Sequence, residues 1–330
     1  MDVYIRGLGN ISPQNTTDNS AFLNEIAVYE NNRLQCIHPD YKKYINPIKL
    51  RRMSRIIKMG VTAAMICLED AGVSVPDAII TGTGFGCIED TEKFLLTMIG
   101  NNEHQLTPTS FIQSTHNTIS GQIAIMLGCN NYNSTYVNRG TSFEAALQDG
   151  MRLLYEGAAQ NALIGGFDEC TPNHFTVTGK LGQWKKEATN NMDLIKSNTS
   201  GSIAGEGASF FFIGTKKDEN NYAKLKGIYT FYKPQNDESV KKKILEFLDR
   251  HGVKPSEIDM VIYGMNGDVE KDKIYTFIKN TYFKHSITAY YKHLSGEYDT
   301  SISFALWLGS KVLKNQCVPD AIKLESPVPE

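Results

Sequence analysis

One stretch decides the fold: Ser134-Thr135-Tyr136-Val137-Asn138-Arg139-Gly140-Thr141-Ser142-Phe143-Glu144-Ala145-Ala146-Leu147. It predicts a strand, a tight elbow and a helix opened by Thr141, with Glu144 three residues later completing a capping box. Such an elbow presents one side chain where free N–H groups and the helix dipole stabilise a thiolate or an oxyanion. The residue at that point is Gly140, or alternatively Arg139. An ordinary capped helix after a strand is the competing interpretation.

The sequence on both sides of the elbow alternates between strand and helix patterns. We expect strands at 3–9, 78–80, 135–137 and 162–164, and helices at 21–28, 53–68, 92–99, 121–127 and 142–155. This alternation favours a largely parallel sheet covered on both faces. The polar segment 183–200 is expected to be a mobile loop.

The rest of the chain repeats the opening order of elements. Strands are expected at 209–213, 224–228 and 260–262, and helices at 240–249, 273–278 and 301–313. We therefore predict an N-terminal half at 1–215 and a similar C-terminal half at 222–330, although the residues match too weakly to prove duplication.

Composition excludes several classes of protein. The 330 residues are 41% hydrophobic and 21% charged, with a net charge of −2, so no field favours nucleic acid or an anionic membrane as partner. No stretch could span a bilayer and the start does not resemble a secretory signal, so a cytoplasmic protein is expected. The six cysteines form no C-x-x-C pair, which argues against a disulfide framework and a metal site.

A glycine-rich run, Gly82-Thr83-Gly84-Phe85-Gly86, could be taken for a dinucleotide loop. Its G-x-G-x-G spacing differs from G-x-G-x-x-G, and Glu103 follows without a strand to place it on a ribose. We interpret the run as a structural turn and predict no cofactor.

Several short motifs occur along the chain in one order, and together they resemble the β-ketoacyl synthases of the thiolase-like superfamily. The resemblance covers nearly the whole chain and implies an α/β fold with two similar βαβαβ halves, whose mixed, mostly parallel sheets are layered between helices. The motifs are Arg51-Arg52-Met53, Gly82-Thr83-Gly84, Pro108-Thr109-Ser110-Phe111, Asn117 with Gly128, the elbow, Gly157, Ile164-Gly165-Gly166-Phe167-Asp168-Glu169, Gly205-Glu206-Gly207-Ala208, Val253-Lys254-Pro255-Ser256-Glu257-Ile258-Asp259 and Leu313-Lys314-Asn315-Gln316-Cys317-Val318-Pro319.

The resemblance also implies catalytic groups that this chain lacks. In the family the elbow carries a cysteine that accepts the acyl chain as a thioester, and two histidines bind the malonyl carbonyl. A gap-free count from Gly157 places Gly140 at the cysteine's position. The first histidine is replaced, with Tyr263 as the expected occupant, and the second by Glu297 or, on a different count, Gly296.

Two histidines near these motifs need separate consideration. His293, beside Lys292, could enter the pocket by a loop shift, but without a partner nucleophile a structural or solvent-facing role is expected. His116 gets the same interpretation. The remaining histidines, including His174 and His285, form no catalytic constellation, and none has metal-ligand spacing.

The end of the chain also departs from the family. Family members end in a Gly-Phe-Gly-Gly turn flanked by strands, whereas this sequence stops at Leu324-Glu325-Ser326-Pro327-Val328-Pro329-Glu330. The last strands are therefore expected to be missing, either because the protein is shorter or because the sequence is truncated.

These departures lead to one preferred hypothesis and two alternatives. The preferred one is a non-condensing subunit, resembling chain-length factors, that pairs with an active ketosynthase and an acyl carrier protein in fatty acid, polyketide or aryl-polyene-like biosynthesis. Glycine at the nucleophile's position departs from that subgroup, which often has glutamine there. The alternatives are an acyl-transfer or decarboxylating enzyme that uses Lys292, His293 and Glu297, and a structural homo-oligomer.

Overall fold

Two mixed β-sheets organise residues 1–325, the part of the chain that the computed structural model describes. The strands are β1 (Val3–Ile11), β2 (Ala78–Gly82), β3 (Tyr132–Tyr136), β4 (Asn161–Asp168), β5 (Gly207–Gly214), β6 (Ala223–Leu225), β7 (Met260–Tyr263), β8 (Ile287–Tyr290) and β9 (Lys323–Glu325). The larger sheet has the order β3-β2-β4-β5-β1-β6 and the smaller one the order β7-β8-β9. Strands β3, β2 and β4 pair in parallel, as do β7 and β8, while the other neighbours are antiparallel.

Helices connect and cover these strands. They are α1 (Pro47–Leu50), α2 (Arg55–Ala71), α3 (Ile88–Gly100), α4 (Pro108–Gln113), α5 (Thr118–Leu127), α6 (Ser142–Tyr155), α7 (Pro172–Lys180), α8 (Asp237–Arg250), α9 (Lys273–Tyr282), α10 (Lys292–Ser295) and α11 (Ile302–Asn315). Short 3₁₀ helices cover Tyr41–Lys43, Arg139–Thr141, Asn191–Lys196, Pro255–Glu257 and Asp320–Ile322. None of the described helices is long and apolar enough to cross a membrane.

Alternating side chains on β5 build a core on each face of the larger sheet. Phe210 and Phe212 pack with α2 and α5, and Phe211 and Ile213 pack with α6 and α11. All four side chains are fully buried, as expected for a strand covered on both faces. The strand is therefore apolar at every one of these positions.

The smaller sheet continues the layering on the far side of α6 and α11. Met260 and Ile262 of β7 face the core that contains these helices, whereas Val261 and Tyr263 face a second core with α8 and α9. The order of layers is helices, sheet, helices, sheet, helices. The predicted layered α/β architecture is confirmed.

The expected helix over 21–28 is wrong. This segment forms bends without regular structure. Its backbone bonds to side chains instead of following the i to i−4 pattern: the Ala27 N–H donates to Gln14 Oε1 at 2.8 Å, and Gln14 Nε2 donates to the Ala27 carbonyl at 3.2 Å. Leu23 has φ +50, which a helix does not accommodate.

The segment 183–200, expected to be a mobile loop, is instead anchored to the protein. It contains the short helix Asn191–Lys196, in which Leu194 is fully buried. Lys185 is also buried, and its ammonium donates to the Gly267 carbonyl at 2.8 Å. The polar composition reflects hydrogen bonds of the buried residues to neighbouring segments together with exposed side chains such as Lys186 and Lys196.

The division into halves at 1–215 and 222–330 stays a prediction. Strand β6, which follows the proposed junction, pairs with β1 at the edge of the larger sheet. The expected absence of the family's last turn concerns residues that reach to 330, and 326–330 lie outside the described residues. Strand β9 pairs antiparallel with β8 just before them.

Candidate functional site

The predicted elbow lies between β3 and α6. After β3 the chain turns through the 3₁₀ helix Arg139–Thr141, and α6 begins at Ser142. Arg139 has φ +54, a left-handed conformation that costs a non-glycine residue about 1 kcal/mol or more. A Cβ added to Gly140 would meet no atom within 4 Å. The elbow therefore has room for a side chain at position 140 but carries no nucleophile there.

The capping box expected from Thr141 and Glu144 is wrong. Thr141 makes no side-chain cap to α6, because its hydroxyl donates back to the Asn138 carbonyl at 3.1 Å. The Ser142 hydroxyl accepts from the Asn138 N–H at 2.8 Å, so the turn is closed by a different residue. Glu144 has one buried carboxylate oxygen without a hydrogen-bond partner among the described residues, and burial raises its pKa to about 7.

The Arg139 side chain packs over an aromatic ring beside the elbow. Its guanidinium carbon lies 3.7 Å from the centroid of the Phe85 ring, and the His174 ring meets the same phenyl ring edge-on at 4.5 Å. Arg139 also pairs with Asp299 at 3.6 Å. A cation–π contact and an ion pair thus hold the arginine next to Gly140, the residue expected at the nucleophile's position.

A cavity of about 300 Å³ opens next to this group, and we call it the elbow cavity. Its walls include Phe85, Arg139, His174, Trp184, Glu297 and Asp299. Cys170 also lines it, but burial raises the pKa of this thiol to about 11, so it is protonated at neutral pH. The aromatic walls suit an apolar or planar group.

Asp168 joins the glycine-rich turn to the start of α11. Its Oδ1 accepts from the Thr83 hydroxyl at 2.9 Å and the Gly84 N–H at 2.8 Å, and its Oδ2 accepts from the Thr300 N–H at 2.9 Å. Burial, with a smaller effect from Asp299, raises the pKa of Asp168 to about 6. These bonds agree with the interpretation of the glycine-rich run as a structural turn.

Buried Lys292 forms an ion pair with the partly buried Glu297, which lines the elbow cavity. The Lys292 ammonium lies 2.6 Å from Glu297 Oε2 and donates to the Ser301 hydroxyl at 2.7 Å. Burial disfavours the charged lysine, but the Glu297 carboxylate outweighs it, so the pKa of Lys292 lies above its ordinary value. Because its carboxylate is paired, Glu297 is not a free general base.

Tyr263, expected at the first histidine's position, and the residue after it have different surroundings. Tyr263 is 5% exposed and lies in the core with α8 and α9, where its ring is 6.0 Å from that of Tyr275. The next residue, Gly264, faces Lys292: a Cβ added there would lie 3.8 Å from the lysine Cε. The structure therefore brings position 264, and not the Tyr263 ring, next to the lysine.

The two residues expected at the second histidine's position, Gly296 and Glu297, also have different surroundings. Gly296 has φ +71, and a Cβ there would lie 2.5 Å from the Gly205 Cα, so this position must stay glycine for the two segments to cross. Glu297 lines the elbow cavity and is the residue of the pair whose side chain reaches it.

The other candidate histidines lie apart from the Lys292–Glu297 pair. His293 is fully buried, packs against Tyr290 at 4.1 Å and donates from Nε2 to the Ala321 carbonyl at 2.8 Å. Burial lowers its pKa to about 4, so it is neutral at physiological pH. His116 is exposed beside Gly86, and His285 is exposed as well. Within residues 1–325 no His, Cys, Asp and Glu side chains cluster in a way that could hold a metal ion.

Sequence reasoning missed several residues of the site. Phe85, His174 and Asp299 come from distant parts of the chain and meet around Arg139. One signal for Asp299 is its place two residues after Glu297. A signal for His174 is Thr171-Pro172, which predicts a helix start directly after a strand ending in Asp168.

Comparison with known proteins extends this description. Residues 30–195 match the family model of the β-ketoacyl synthase N-terminal domain. The chain is 24% identical over 200 residues to 3-oxoacyl-[acyl-carrier-protein] synthase 2 of Vibrio cholerae serotype O1, a match that covers 57% of this chain. The matched region spans only 47% of the length of that relative.

Solved structures resemble the chain over almost its whole length. A ketosynthase/chain length factor for ishigamide has a TM-score of 0.79 at 19% identity and covers 99% of this chain and 90% of its own. A β-ketoacyl synthase from Burkholderia phymatum has a TM-score of 0.77 at 14% identity, covering 99% and 89%. A type II polyketide ketosynthase solved in complex with its acyl carrier protein has a TM-score of 0.73 at 17% identity, covering 96% and 93%. These likenesses confirm the expected thiolase-like fold.

Proposed function

We propose that this chain, which belongs to the β-ketoacyl synthase family, is a non-condensing subunit. It would pair with an active ketosynthase and shape the binding of the acyl chain. The observation that carries this proposal is Gly140. It stands at the exposed elbow with open space around it, where condensation would need a thiolate.

The charges around the elbow support the same proposal. Condensation develops negative charge on an enolate, which N–H donors or cations must stabilise. At the expected places of the two histidines this chain has Tyr263, whose ring is buried in the core with α8 and α9, and Glu297, whose carboxylate is paired with Lys292. A carboxylate would repel an enolate instead of stabilising it.

An exposed surface on the larger sheet is suited to a partner subunit. Strand β3 is at the edge of this sheet, and in the described part of the chain it pairs only with β2. Exposed edges and apolar patches of this kind mark association surfaces. Next to β3 the exposed apolar side chains are Ile125 on α5, which packs against the strand, and Val137 directly after it. The segment before α5 continues with α4, which carries Phe111 and Ile112, and α3, which packs against α4 and carries Leu96 and Ile99. All six side chains are between 41% and 71% exposed.

The similar structures support the choice of partners. One is described as a ketosynthase/chain length factor, and another as a type II polyketide ketosynthase with its acyl carrier protein. We propose the same two kinds of partner here, an active ketosynthase and a carrier protein, in the synthesis of a fatty acid, a polyketide or an aryl-polyene-like chain. Self-association is the alternative use of the β3 surface.

Co-expression with an intact ketosynthase from the same organism tests this proposal. We expect a stable complex with the wild-type chain and at least tenfold weaker association for the double variant Ile112→Asp/Ile125→Asp, because each charge must be desolvated at the interface. Leu313→Asp, at an exposed position on α11, which contacts β6 at the opposite edge of the sheet from β3, is the matched control. A chain that associates only with itself, or with nothing, would contradict the proposal.

A decarboxylating or acyl-transfer enzyme is the second candidate, because Glu297, which pairs with Lys292, lines the elbow cavity. Incubation of the isolated chain with malonyl-carrier protein separates the two. Carbon dioxide release that is lost in Glu297→Gln would support the enzyme. Activity that appears only after a ketosynthase is added would support the subunit.

A further inference from the structure

A row of aromatic rings covers the outer surface of α8. Tyr229 stacks on Phe247 with centroids 6.0 Å apart and planes 7° apart, Phe231 lies 6.0 Å from Tyr229, and His251 meets Phe247 edge-on at 4.8 Å. We call these four rings the aromatic row. None of them belongs to the hydrophobic clusters that hold the described layers together. The next residue, Tyr232, is 81% exposed.

Two cations lie over this row without an acidic partner. Lys243 Nζ is 5.5 Å from the Phe231 centroid, and Arg250 Cζ is 5.3 Å from that of Tyr229. In the part of the chain that the structure describes, neither has a carboxylate within ion-pair distance, whereas the neighbouring Lys241 and Lys242 pair with Glu238 and Glu246. The ring faces hold the cations in place and leave their N–H groups free to bind an anionic group.

A cavity adjoins the inner end of the aromatic row. It measures about 610 Å³ and is lined by Ile228 and His251 on one side and by Met151 and Tyr155 of α6 on the other. The acids in its wall, Asp149 and Glu156, both pair with Arg152. The cavity therefore offers apolar surface beside the two unpaired cations.

We propose that the aromatic row, its two cations and the adjoining cavity form a docking surface for an acidic amphipathic helix of a partner protein. The acidic face would pair with Lys243 and Arg250, and an apolar side chain would enter the cavity beside Ile228. Aromatic residues and arginine next to a pocket are the usual centres of protein interfaces, and a helix in a groove uses apolar anchors on one face. The cavity reaches Tyr136 at the end of β3, whereas the aromatic row and its two cations belong to α8 and the segments before and after it. A peptide test on the isolated chain therefore addresses this surface without a ketosynthase.

Nucleic acid is the other ligand that aromatic rings and cations could bind by stacking. The chain has a net charge of −2, and among the described residues the cations without an ion pair here are Lys243 and Arg250 on α8, Lys226 in the cavity wall and Lys233 over the Tyr232 ring. A phosphate backbone would need a longer positive surface. The protein partner is therefore the proposal, and nucleic acid is an outcome of the test.

The probe is a fluorescein-labelled helical peptide of about 18 residues, long enough for five turns, with glutamate on one face and leucine and phenylalanine on the other. Binding to the full chain is followed by fluorescence anisotropy. We expect saturable binding that weakens at least tenfold in Lys243→Glu/Arg250→Glu and several-fold in Phe231→Ala, since about 1.4 kcal/mol corresponds to a factor of ten. Higher salt should weaken binding further.

Matched controls make the outcome decisive. Lys93→Glu/Lys186→Glu changes the net charge equally at exposed positions away from α8, and it should bind the peptide like wild type. Circular dichroism checks that each variant is folded. Equal loss in both double variants, no binding by wild type, or equal binding of a peptide whose leucines and phenylalanines are replaced by serine would overturn the proposal. Tighter binding of single-stranded oligothymidylate would overturn it in favour of nucleic acid.

Discussion

Replacing Gly140 by cysteine restores the family's nucleophile at the elbow and tests the structural account of this site. A Cβ at this position meets no atom within 4 Å, and Gly140 is not among the described glycines with positive φ. The substitution should therefore fit without strain. It should stabilise the protein by about 0.5 kcal/mol, because a side chain reduces the freedom of the unfolded chain.

A contrasting glycine shows what a poor fit would look like. A Cβ added to Gly82, at the end of β2, would lie 2.4 Å from the backbone carbonyl carbon and oxygen of Ser142 at the start of α6. Backbone cannot move aside as a flexible side chain can. We expect Gly82→Ala to lower the free energy of unfolding by about 3 kcal/mol. Urea denaturation of both variants measures the difference.

The new thiol is assayed in a Cys317→Ser background, because Cys317 is exposed whereas the other five native cysteines are buried. We expect the thiol introduced by Gly140→Cys to be alkylated by iodoacetamide with a pKa below the ordinary value of about 8.5, since it stands at the N-terminal end of α6. Condensation should not return, because positions 264 and 297 still lack a donor. A buried or destabilising thiol would refute the elbow geometry, and condensation by Gly140→Cys alone would refute the assigned role of the missing histidines.

Three further predictions concern residues around the elbow cavity. Lys292→Met should lower the free energy of unfolding by about 2 to 3 kcal/mol, because it leaves the partly buried Glu297 carboxylate without its cation. In urea denaturation the double variant Lys292→Met/Glu297→Gln should recover most of that loss. Burial raises the pKa of the Glu144 carboxyl from 4.5 to about 7, so it contributes stability that is present below about pH 4.5 and lost as the pH rises through 7. Glu144→Gln should remove a decline of about 3 kcal/mol from the profile of unfolding free energy against pH. Arg139→Gly should be more stable than Arg139→Ala by about 1 kcal/mol, because both variants lose the same contacts but only glycine relieves the backbone strain at φ +54. Equal stability of the two variants in urea denaturation would contradict that strain.

Helices and strands with strong patterns could be predicted from sequence. The helix over 142–155 has the bounds that its apolar spacing indicates, and 53–68 falls within α2 or just before it, with Gly72 in the left-handed conformation at the end. In both, packing against a sheet and local pattern favour the same structure. Fold prediction succeeded where these two influences agreed.

The failures occurred where hydrogen bonds from distant residues decide local structure. The segment 21–28 has helical spacing, but Gln14 bonds to its backbone from outside. Thr141 is a residue type that often caps helices, but its hydroxyl donates to the Asn138 carbonyl instead. Strand β8 was missed altogether, because Ile287–Tyr290 is short and gains its place only by pairing with β7 and β9. Sequence patterns do not contain these partners.

The candidate site could be located from sequence but not assembled. The elbow was located from order and spacing, and Glu297 was one of two options for the second histidine's position, so the place of the missing chemistry stays a prediction. The side chains that surround the elbow could not be predicted, because Phe85, Asp299 and His174 are brought together only by the fold. The surroundings of neighbouring residues were also hidden: the Tyr263 ring lies in the core with α8 and α9, whereas a Cβ added to Gly264 would lie 3.2 Å from Tyr275 Oη and 3.8 Å from Lys292 Cε.

The bonds of Asp168 have a consequence for how the protein opens. One carboxylate joins the Thr83–Gly84 turn, which follows β2, to Thr300 at the start of α11, more than two hundred residues away along the chain. Neither segment can detach without breaking bonds to the other, so the amide hydrogens of Gly84 and Thr300 should exchange with solvent in the same event. The walls of the elbow cavity therefore form a fixed frame. An engineer could exchange the side chains at 140, 264 and 297 while that frame keeps them in register.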